Sequence, residues 1–524
     1  MAEIRQQAEL SAGVGGPISN TGFLGQFRAN ILAAGLSPRK TMIGFVVAWA
    51  LFFFILYGMP APAGLSPQGQ ATLAVMVWAC TMWIFESIPV GISGILIPML
   101  LVLANAVTPF PKAADGFTTP VLFLCLAAFL FAAIMQAAGL DRRIALSMLK
   151  WMKVKTVNGV IWAMFAVNMV LSFIIPAANA RAATMLPVIN GITRFFGDTE
   201  AEKNGKKAIV IQTLVYGSMI SGMCIITAHL PNYILVGLFD KQLNIKISYF
   251  DWFVMQWPYL GMFALTQWWV QYYFKTRHVA VAGGYAAVQQ QHRELPKTSQ
   301  SEWLILAVFA LIALAWVSEK WLTQHVSPRL LSHNTALIGI ALLFMPGLFG
   351  FKWKELQDRT IWGTLLLLAG ALSLSSAMAS SGLAKWFADV IHPLAEGHAW
   401  WMILLILMAG THVIRLGMLS NVAAITMLAP ILIALAPRFG LHPVAFTMLI
   451  ADTDTFAYIL PTQITAAVIA YSSGTFSMTD YAKVGWVSVL IAIAYGILVM
   501  ATWYAFLGIP VWDPAAPWPF SKAG

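Results

Sequence analysis

The sequence predicts an all-α polytopic membrane protein, with about eleven transmembrane helices and two re-entrant hairpins arranged in two inverted repeats. Three observations predict this fold class. The 524-residue chain is 59% hydrophobic and only 10% charged, whereas soluble domains carry about 25% charged residues. Apolar runs of about 20 residues recur, and this length matches the hydrocarbon core of a bilayer. The two halves also share polar landmarks. A soluble multidomain protein and a DNA-binding, collagen-like or disordered chain are therefore excluded.

The first half of the chain contains the apolar runs of six spans and of one hairpin. The two arms of the hairpin, 157–175 and 182–196, are joined by the polar break Pro176–Arg181. The fifth span is followed by a second break at 227–232. The six predicted spans are Met42–Tyr57, Ala71–Phe85, Ile88–Ala104, Val121–Ala138, Ala208–Ile226 and Phe253–Tyr273.

The second half has five spans and a second hairpin. Its hairpin arms, 400–418 and 423–436, are separated by Ser420-Asn421. The fourth span is interrupted around 461–465. The five predicted spans are Trp303–Val317, His333–Leu348, Ile361–Ala379, Val444–Ala470 and Val484–Leu507.

The distribution of basic residues predicts the orientation of these spans. With the N-terminus in the cytoplasm, most of the 31 Lys and Arg residues fall in cytoplasmic segments, chiefly 139–157, 194–207 and 275–302, as the positive-inside rule requires. We therefore expect an integral protein of a bacterial inner membrane with an extracytoplasmic C-terminus. Two inverted repeats are predicted, the first at 70–274 with hairpin 157–196 and the second at 303–507 with hairpin 400–436. A cytoplasmic linker at 275–302 joins them. A cytoplasmic tail at 1–41 and a first helix and loop at 42–69 precede the repeats, and an extracytoplasmic tail at 508–524 follows them.

The repeat is visible at the hairpins. The segment 178–186 aligns with 420–428 at an offset of 242 residues, with Asn179 matching Asn421 and Thr-Met-Leu matching Thr-Met-Leu. An odd number of spans between the copies places them in opposite orientations. Paired broken helices in inverted halves indicate the midplane binding site of a transporter, because non-helical backbone at membrane depth must line protein or water.

Three elements carry a family resemblance: Trp83–Pro89 and the two hairpin tips, Ala178-Asn179-Ala180 and Ser420-Asn421-Val422. Over about 71–507 the chain resembles the divalent anion:sodium symporter family, which transports dicarboxylates, citrate or sulfate. The resemblance implies a scaffold domain, a moving transport domain that carries both hairpins, a homodimer and an elevator-type mechanism.

The tips depart from the Ser-Asn-Thr pattern of that family. Ala178 replaces the first serine, and Ala180 and Val422 replace the two threonines. The arginine directly after the first tip, Arg181, is similar to the citrate and tartrate exchanger branch. The resemblance therefore implies exchange, or coupling to another ion, as alternatives to sodium symport.

Two arginines and two aspartates lie in apolar surroundings. Arg181 at membrane depth costs at least about 2.5 kcal/mol on insertion, so it should face an anion in a watery cavity or pair with a backbone carbonyl or an acid. For Arg415 we expect a structural ion pair. Asp452 and Asp454 are two residues apart on a helix and point in different directions, so at most one should face the site.

These considerations give the candidate residues. Asparagine amides suit carboxylates, asparagine and serine oxygens suit cations, and residues in the breaks border the expected cavity. The candidate substrate ligands are Asn179, Arg181, Asn232, Ser420, Asn421 and Thr465. The candidate coupling-ion residues are Asn179, Ser420, Asn421, Asp452 and Asp454, with sodium considered at Ser420 and Asn421.

The sequence-based hypothesis is a secondary active transporter of small organic anions, of the di- or tricarboxylate class, working as an antiporter or a cation-coupled symporter. It predicts no cofactor, with Na⁺ or H⁺ as the coupling ion, and an organic anion, membrane lipid and a second copy of the chain as partners, but no nucleic acid. Neither a phosphate-binding loop nor an H-E-x-x-H motif occurs, so we do not expect an enzyme. The alternatives are a cation/proton antiporter that uses Asp452 or Asp454, and a membrane-embedded enzyme.

Overall fold

The fold is built from helices and turns. A computed structural model describes residues 38–194, 196–281, 283–346, 349–418 and 420–521. Within these ranges the only extended pairing is a single bridge between Thr156 and Ala280. Nearly all of the predicted N-terminal tail lies outside the described residues.

The helices of the first half follow the predicted order, and several are joined by short irregular turns. A π-helical turn, Ile211–Gly217, joins α9 to α10 in one continuous helix, and a 3₁₀ turn, Ile226–Ala228, separates α10 from α11. The helices are α1 Pro38–Phe53, α2 Pro67–Phe85, α3 Val90–Leu103, α4 Phe110–Ala113, α5 Pro120–Ala137, α6 Leu140–Met152, α7 Val157–Ile174, α8 Ala178–Thr193, α9 Glu200–Val210, α10 Ser218–Cys224, α11 Leu230–Leu243, α12 Tyr249–Gln256 and α13 Leu260–Phe274.

The second half has the same order of elements. A 3₁₀ turn, Pro461–Gln463, lies between α23 and α24. The helices are α14 Gly284–Arg293, α15 Gln300–Val317, α16 Glu319–His325, α17 Ser332–Leu343, α18 Trp353–Arg359, α19 Trp362–Ser380, α20 Leu383–Ala395, α21 Trp400–Gly417, α22 Asn421–Leu435, α23 Pro443–Thr455, α24 Thr465–Ser472 and α25 Met478–Val499.

The predicted fold class is confirmed. Nine helices in the described part of the chain are long and apolar enough to cross a membrane, and α3 and α17 are shorter apolar helices. Three of the nine are the hairpin arms α7, α21 and α22, so this number does not count the predicted spans. The eleven spans, their orientation, the re-entrant course of the two hairpins and the inversion of the repeats stay predictions.

Both halves use a glycine at the same place. Gly139 ends the segment between α5 and α6 with a φ of 68°, and Gly382 lies between α19 and α20 with a φ of 81°. Glycine adopts this left-handed conformation without the strain that a Cβ atom imposes. In each half the chain therefore turns from a long helix into a shorter one just before a hairpin, and the two glycines are 243 residues apart in the sequence.

Close glycine packing holds α3 against α19. A Cβ atom added at Gly94 would lie 2.3 Å from the carbonyl oxygen of Leu366, and one added at Gly370 would lie 2.3 Å from the carbonyl oxygen of Gly94. Because these nearest atoms are backbone, they cannot rotate away. Small residues allow such close backbone approach between membrane helices, and the pair forms a firm wall beside the hairpin tips.

This packing predicts a specific loss of stability. Gly94→Ala should push α3 and α19 apart and lower the free energy of unfolding by about 1–3 kcal/mol. Thermal unfolding of the purified protein in detergent measures the change. Gly410→Ala is the matched control, because a Cβ atom there meets nothing within 4 Å. Equal unfolding temperatures for the two variants would contradict the prediction.

Candidate functional site

A cavity of about 250 Å³ lies where the two hairpin tips meet the two helix breaks. One side of it is formed by the tips and breaks, and the other by α2, α3 and α19. From the tips and breaks come Ala177, Ala178, Asn179, His229, Leu230, Pro231, Ser420, Asn421, Val422, Ile464, Thr465 and Ala466, from the helix before the first break comes Met219, and from the facing helices come Trp83, Glu86, Val90, Thr364 and Leu367.

Four helices begin at this cavity. Ala178, Leu230, Asn421 and Thr465 are the first residues of α8, α11, α22 and α24, and all four line it. The first N–H groups of a helix have no partner within the helix, and the helix dipole places partial positive charge there. The cavity is therefore surrounded by backbone donors that suit an anion.

Three of these four N-termini lack the usual side-chain cap. No side chain accepts a hydrogen bond from the first turn of α8, α11 or α24. Only α22 is capped, by the Oγ of Ser420, which accepts from the N–H of Ala423 at 3.3 Å. Capping residues normally satisfy these amides, so their absence leaves the N–H groups available to a bound molecule.

The positive character of the cavity comes from the backbone, since no lysine or arginine of the described part of the chain lines it. Glu86 and His229 are the ionisable residues among its lining. The Glu86 carboxylate is half exposed and lies 3.6 Å from the Nζ of Lys40. Among the described lining residues, Glu86 is thus the one acidic group, and Lys40 lies close enough to pair with it.

The structure brings together four of the six predicted substrate ligands: Asn179, Ser420, Asn421 and Thr465. Asn179 makes no side-chain hydrogen bond to any other described residue, so both its amide N–H and its oxygen are available. The role of these four residues in binding stays a prediction.

Arg181 differs from the expectation of substrate contact. It does not line the cavity, and its side chain is fully buried. Its guanidinium donates to the carbonyl oxygens of Ile175 at 2.7 Å, Ala228 at 2.9 Å and Ser218 at 2.6 Å. Arg181 therefore pairs with backbone carbonyls, which was the alternative to substrate contact. The physical reason is that the carbonyls of Ile175 and Ala228, after the end of α7 and in the break, need buried donors.

We call the place where a hairpin meets the neighbouring break a junction; Arg181 lies at the first junction, and Arg415 lies at the second. It donates to the carbonyl oxygens of Met418 at 2.9 Å and Gln463 at 2.6 Å, and to the Oδ1 of Asn421. Its Nε lies 3.3 Å from the Oδ1 of Asp454, and both side chains are fully buried. The ion pair expected for Arg415 is thus present.

The two arginines make equivalent connections from non-equivalent positions. Ile175 and Met418 each follow the first arm of a hairpin, and Ala228 and Gln463 each end the 3₁₀ turn of a break. Each guanidinium therefore ties a hairpin to the break beside it. At the repeat offset of 242, position 181 aligns with alanine rather than with Arg415, so the alignment of the halves does not reveal this correspondence.

The remaining three candidates, Asn232, Asp452 and Asp454, lie outside the cavity lining. Asn232 does not line the cavity, because its Nδ2 donates to the carbonyls of Gly222 at 3.1 Å and Ile225 at 3.0 Å. Asp452 accepts from the Nε2 of Gln256 at 2.8 and 3.0 Å. Neither Asp452 nor Asp454 lines the cavity; Asn232 completes the first break, and Asp454 balances the charge of Arg415.

His229 lies in the first break, two residues before Pro231, and we expected residues of the breaks to border the cavity. It does line the cavity and is 6% exposed, although we did not choose it as a candidate ligand. At that place the residue precedes a helix whose N-terminus faces the cavity.

The two junctions do not fit a sodium ion. Unwound backbone carbonyls of this kind coordinate sodium in transporters built from broken helices. Here the carbonyls of Ile175, Ala228, Met418 and Gln463 already accept from guanidinium groups. The Oδ1 of Asn421, which we considered as a sodium ligand, also accepts from Arg415. The described residues contain no cluster of three His, Cys, Asp or Glu side chains that could hold a metal.

Comparisons with known proteins place this geometry in context. Residues 39–510 match the family described as "Sodium:sulfate symporter transmembrane region". A membrane protein of Cupriavidus necator is 29% identical over 494 residues, covering 90% of this chain and 94% of its own. The sodium-dependent dicarboxylate transporter SdcS of Staphylococcus saprophyticus is 26% identical over 490 residues, covering 90% and 93%. The YdaH transporter of Alcanivorax borkumensis has a similar fold, with a TM-score of 0.51 and 13% identity over 85% of this chain and all of that one.

The buried ion pair at the second junction generates a stability prediction. Asp454→Asn leaves the guanidinium of Arg415 without a counter-charge, so the free energy of unfolding should fall by about 3–5 kcal/mol. Thermal unfolding in detergent measures it. Asp452→Asn is the control, because that carboxylate accepts from an amide and asparagine keeps an acceptor oxygen. If Asp454→Asn is no less stable than Asp452→Asn, the ion pair does not stabilise the junction.

Proposed function

The chain belongs to the sodium:sulfate symporter family, and from that membership we propose that it is a secondary transporter of small organic anions, of the di- or tricarboxylate class. Membership of a transporter family excludes the alternative of a membrane-embedded enzyme. The cation/proton antiporter alternative depended on Asp452 or Asp454, and both lie outside the cavity lining.

The convergence of four helix N-termini on one cavity carries this proposal. Each half of the chain supplies one hairpin tip and one break, so the donors form two similar sets. Two sets of backbone amides suit an anion with two carboxylates, one for each set. The name of the staphylococcal relatives, sodium-dependent dicarboxylate transporter, supports the same substrate class.

We propose further that the protein exchanges anions rather than coupling their uptake to sodium. At each junction a guanidinium already ties the hairpin to the break, so the site needs no cation to assemble. Asp454 balances Arg415, but Arg181 has no carboxylate partner among the described residues. In the empty site the uncapped amides of α8, α11 and α24 have no acceptor, and such unsatisfied backbone groups are costly to move through a membrane, so the empty site should cross slowly and the anion-loaded site quickly.

The position of the cavity supports an elevator-type motion. The cavity lies between the tips and breaks on one side and α2, α3 and α19 on the other. Its outer wall includes the close-packed pair α3 and α19, which suits a fixed scaffold. The hairpins and broken helices would then move together along this wall. The homodimer stays a prediction.

Counterflow tests the proposed function. Proteoliposomes loaded with unlabelled succinate should take up labelled succinate at the same rate in sodium and in choline chloride, and much faster than empty proteoliposomes do. The physical reason is that each return step needs a bound anion. Protein-free liposomes control for leakage. Uptake into empty proteoliposomes that requires a sodium gradient would establish symport instead.

A variant of the first tip tests the site. Asn179→Ala removes an unpaired amide from the cavity and should raise the KM for succinate counterflow about tenfold or more, as expected for a hydrogen bond to a charged group. Asn334→Ala is the control, because that amide donates to the carbonyl of Arg329 and lies outside the cavity lining. An unchanged KM in Asn179→Ala would remove this residue from the site.

A further inference from the structure

The hydrogen-bond partners of His229 define which of its ring nitrogens carries a proton. The Nε2 of His229 lies 3.3 Å from the Nδ2 of Asn421, across the cavity wall from the first break to the second tip. Asn421 in turn contacts Arg415. The three side chains form a chain of hydrogen bonds from Arg415 through Asn421 to His229, which lines the cavity.

Arg415 orients the amide of Asn421. A guanidinium has donors and no acceptor, so the atom that faces it must be the Oδ1 of Asn421. The amide NH₂ group is therefore turned toward His229. Since that group only donates, the Nε2 of His229 must accept, and in a neutral imidazole the proton then resides on Nδ1.

The Nδ1–H of His229 has no partner among the described residues, although it is buried. A buried N–H group without an acceptor is unfavourable, and the native protein keeps few of them. The ring borders the cavity at the start of α11, beside the uncapped amides of that helix. An oxygen atom of a bound anion is the acceptor that this place lacks.

We propose that the Nδ1–H of His229 donates a hydrogen bond to a carboxylate oxygen of the transported anion, and that His229 is a specificity-determining residue of the site. This inference rests on the proposed function. The neutral ring supplies a donor and no charge, so it recognises an acceptor oxygen of the anion. Because Nε2 is held by Asn421, the same contact connects the substrate to the tip of the second hairpin.

Two substitutions separate the substrate contact from the contact with Asn421. In His229→Asn the amide nitrogen takes a place near that of Nδ1, while the bond to Asn421 is lost. In His229→Gln the side-chain oxygen can replace Nε2 as acceptor for Asn421, but no donor remains near Nδ1. His229→Asn therefore keeps the donor for the substrate, and His229→Gln keeps the acceptor for Asn421.

Succinate counterflow gives the KM and the maximal rate of each variant. We expect His229→Gln to raise the KM about tenfold to a hundredfold, and His229→Asn, which keeps the donor, to raise the KM less than His229→Gln does. If His229 only supports the second tip, His229→Asn should have the higher KM of the two variants. That order, or an unchanged KM in His229→Gln, would overturn the proposal.

The unmodified protein supplies a second measurement if either variant fails to fold. In protein labelled with ¹⁵N-histidine, one neutral histidine with its proton on Nδ1 should change its N–H signal when succinate is added. Absence of any histidine change, in a protein that succinate stabilises against thermal unfolding, would overturn the role of His229 alone. Absence of that thermal stabilisation by succinate, citrate or sulfate would instead count against the proposed function.

Discussion

The site depends on how backbone polar groups are satisfied where helices stop inside the protein. Each hairpin and each break leaves carbonyl oxygens on one side and amide N–H groups on the other. Guanidinium groups close the carbonyl side at both junctions, with Arg181 at the first and Arg415 at the second. The amide side stays open at the cavity, where three of the four helix N-termini have no side-chain cap. The arginines hydrogen-bond to the carbonyl groups, while the amide groups remain free to bind solvent or substrate. This arrangement suits an anion.

The same arrangement explains why the chain can depart from the tip sequences of its family. The hydroxyl groups absent at Ala178, Ala180 and Val422 are replaced neither by lysine nor by arginine in the cavity lining. The backbone amides and the side chains of Asn179 and His229 remain as donors. A site whose attraction for anions comes mainly from backbone geometry tolerates such replacements, because the helix N-termini do not depend on side-chain identity.

The sequence predicted the fold class and the helix interruptions at both tips and both breaks, because apolar length and polar interruption are local properties of the chain. It also predicted Asn179, Ser420, Asn421 and Thr465 in the cavity lining, since each lies at a tip or a break. The sequence did not predict that the side chain of Arg181 points away from the cavity. Residues two apart on a helix lie about 200° apart around its axis, so with Asn179 at the cavity, Arg181 faces away from it. Its carbonyl partners, Ala228 and Ser218, are distant in sequence, and spacing alone does not reveal such contacts. The tautomer of His229 likewise depends on Asn421 and Arg415 from the other half of the chain.

A structure of the protein with bound succinate, determined by cryo-electron microscopy in sodium-containing buffer, tests most directly whether helix N-termini hold the anion and arginines replace the cation. We predict carboxylate oxygens within hydrogen-bond distance of the first amides of α8, α11, α22 and α24, with the guanidinium groups of Arg181 and Arg415 still on the carbonyls of Ala228 and Gln463. Density for sodium at either of those carbonyls, with the arginine displaced, or succinate bound away from the four helix N-termini, would contradict it.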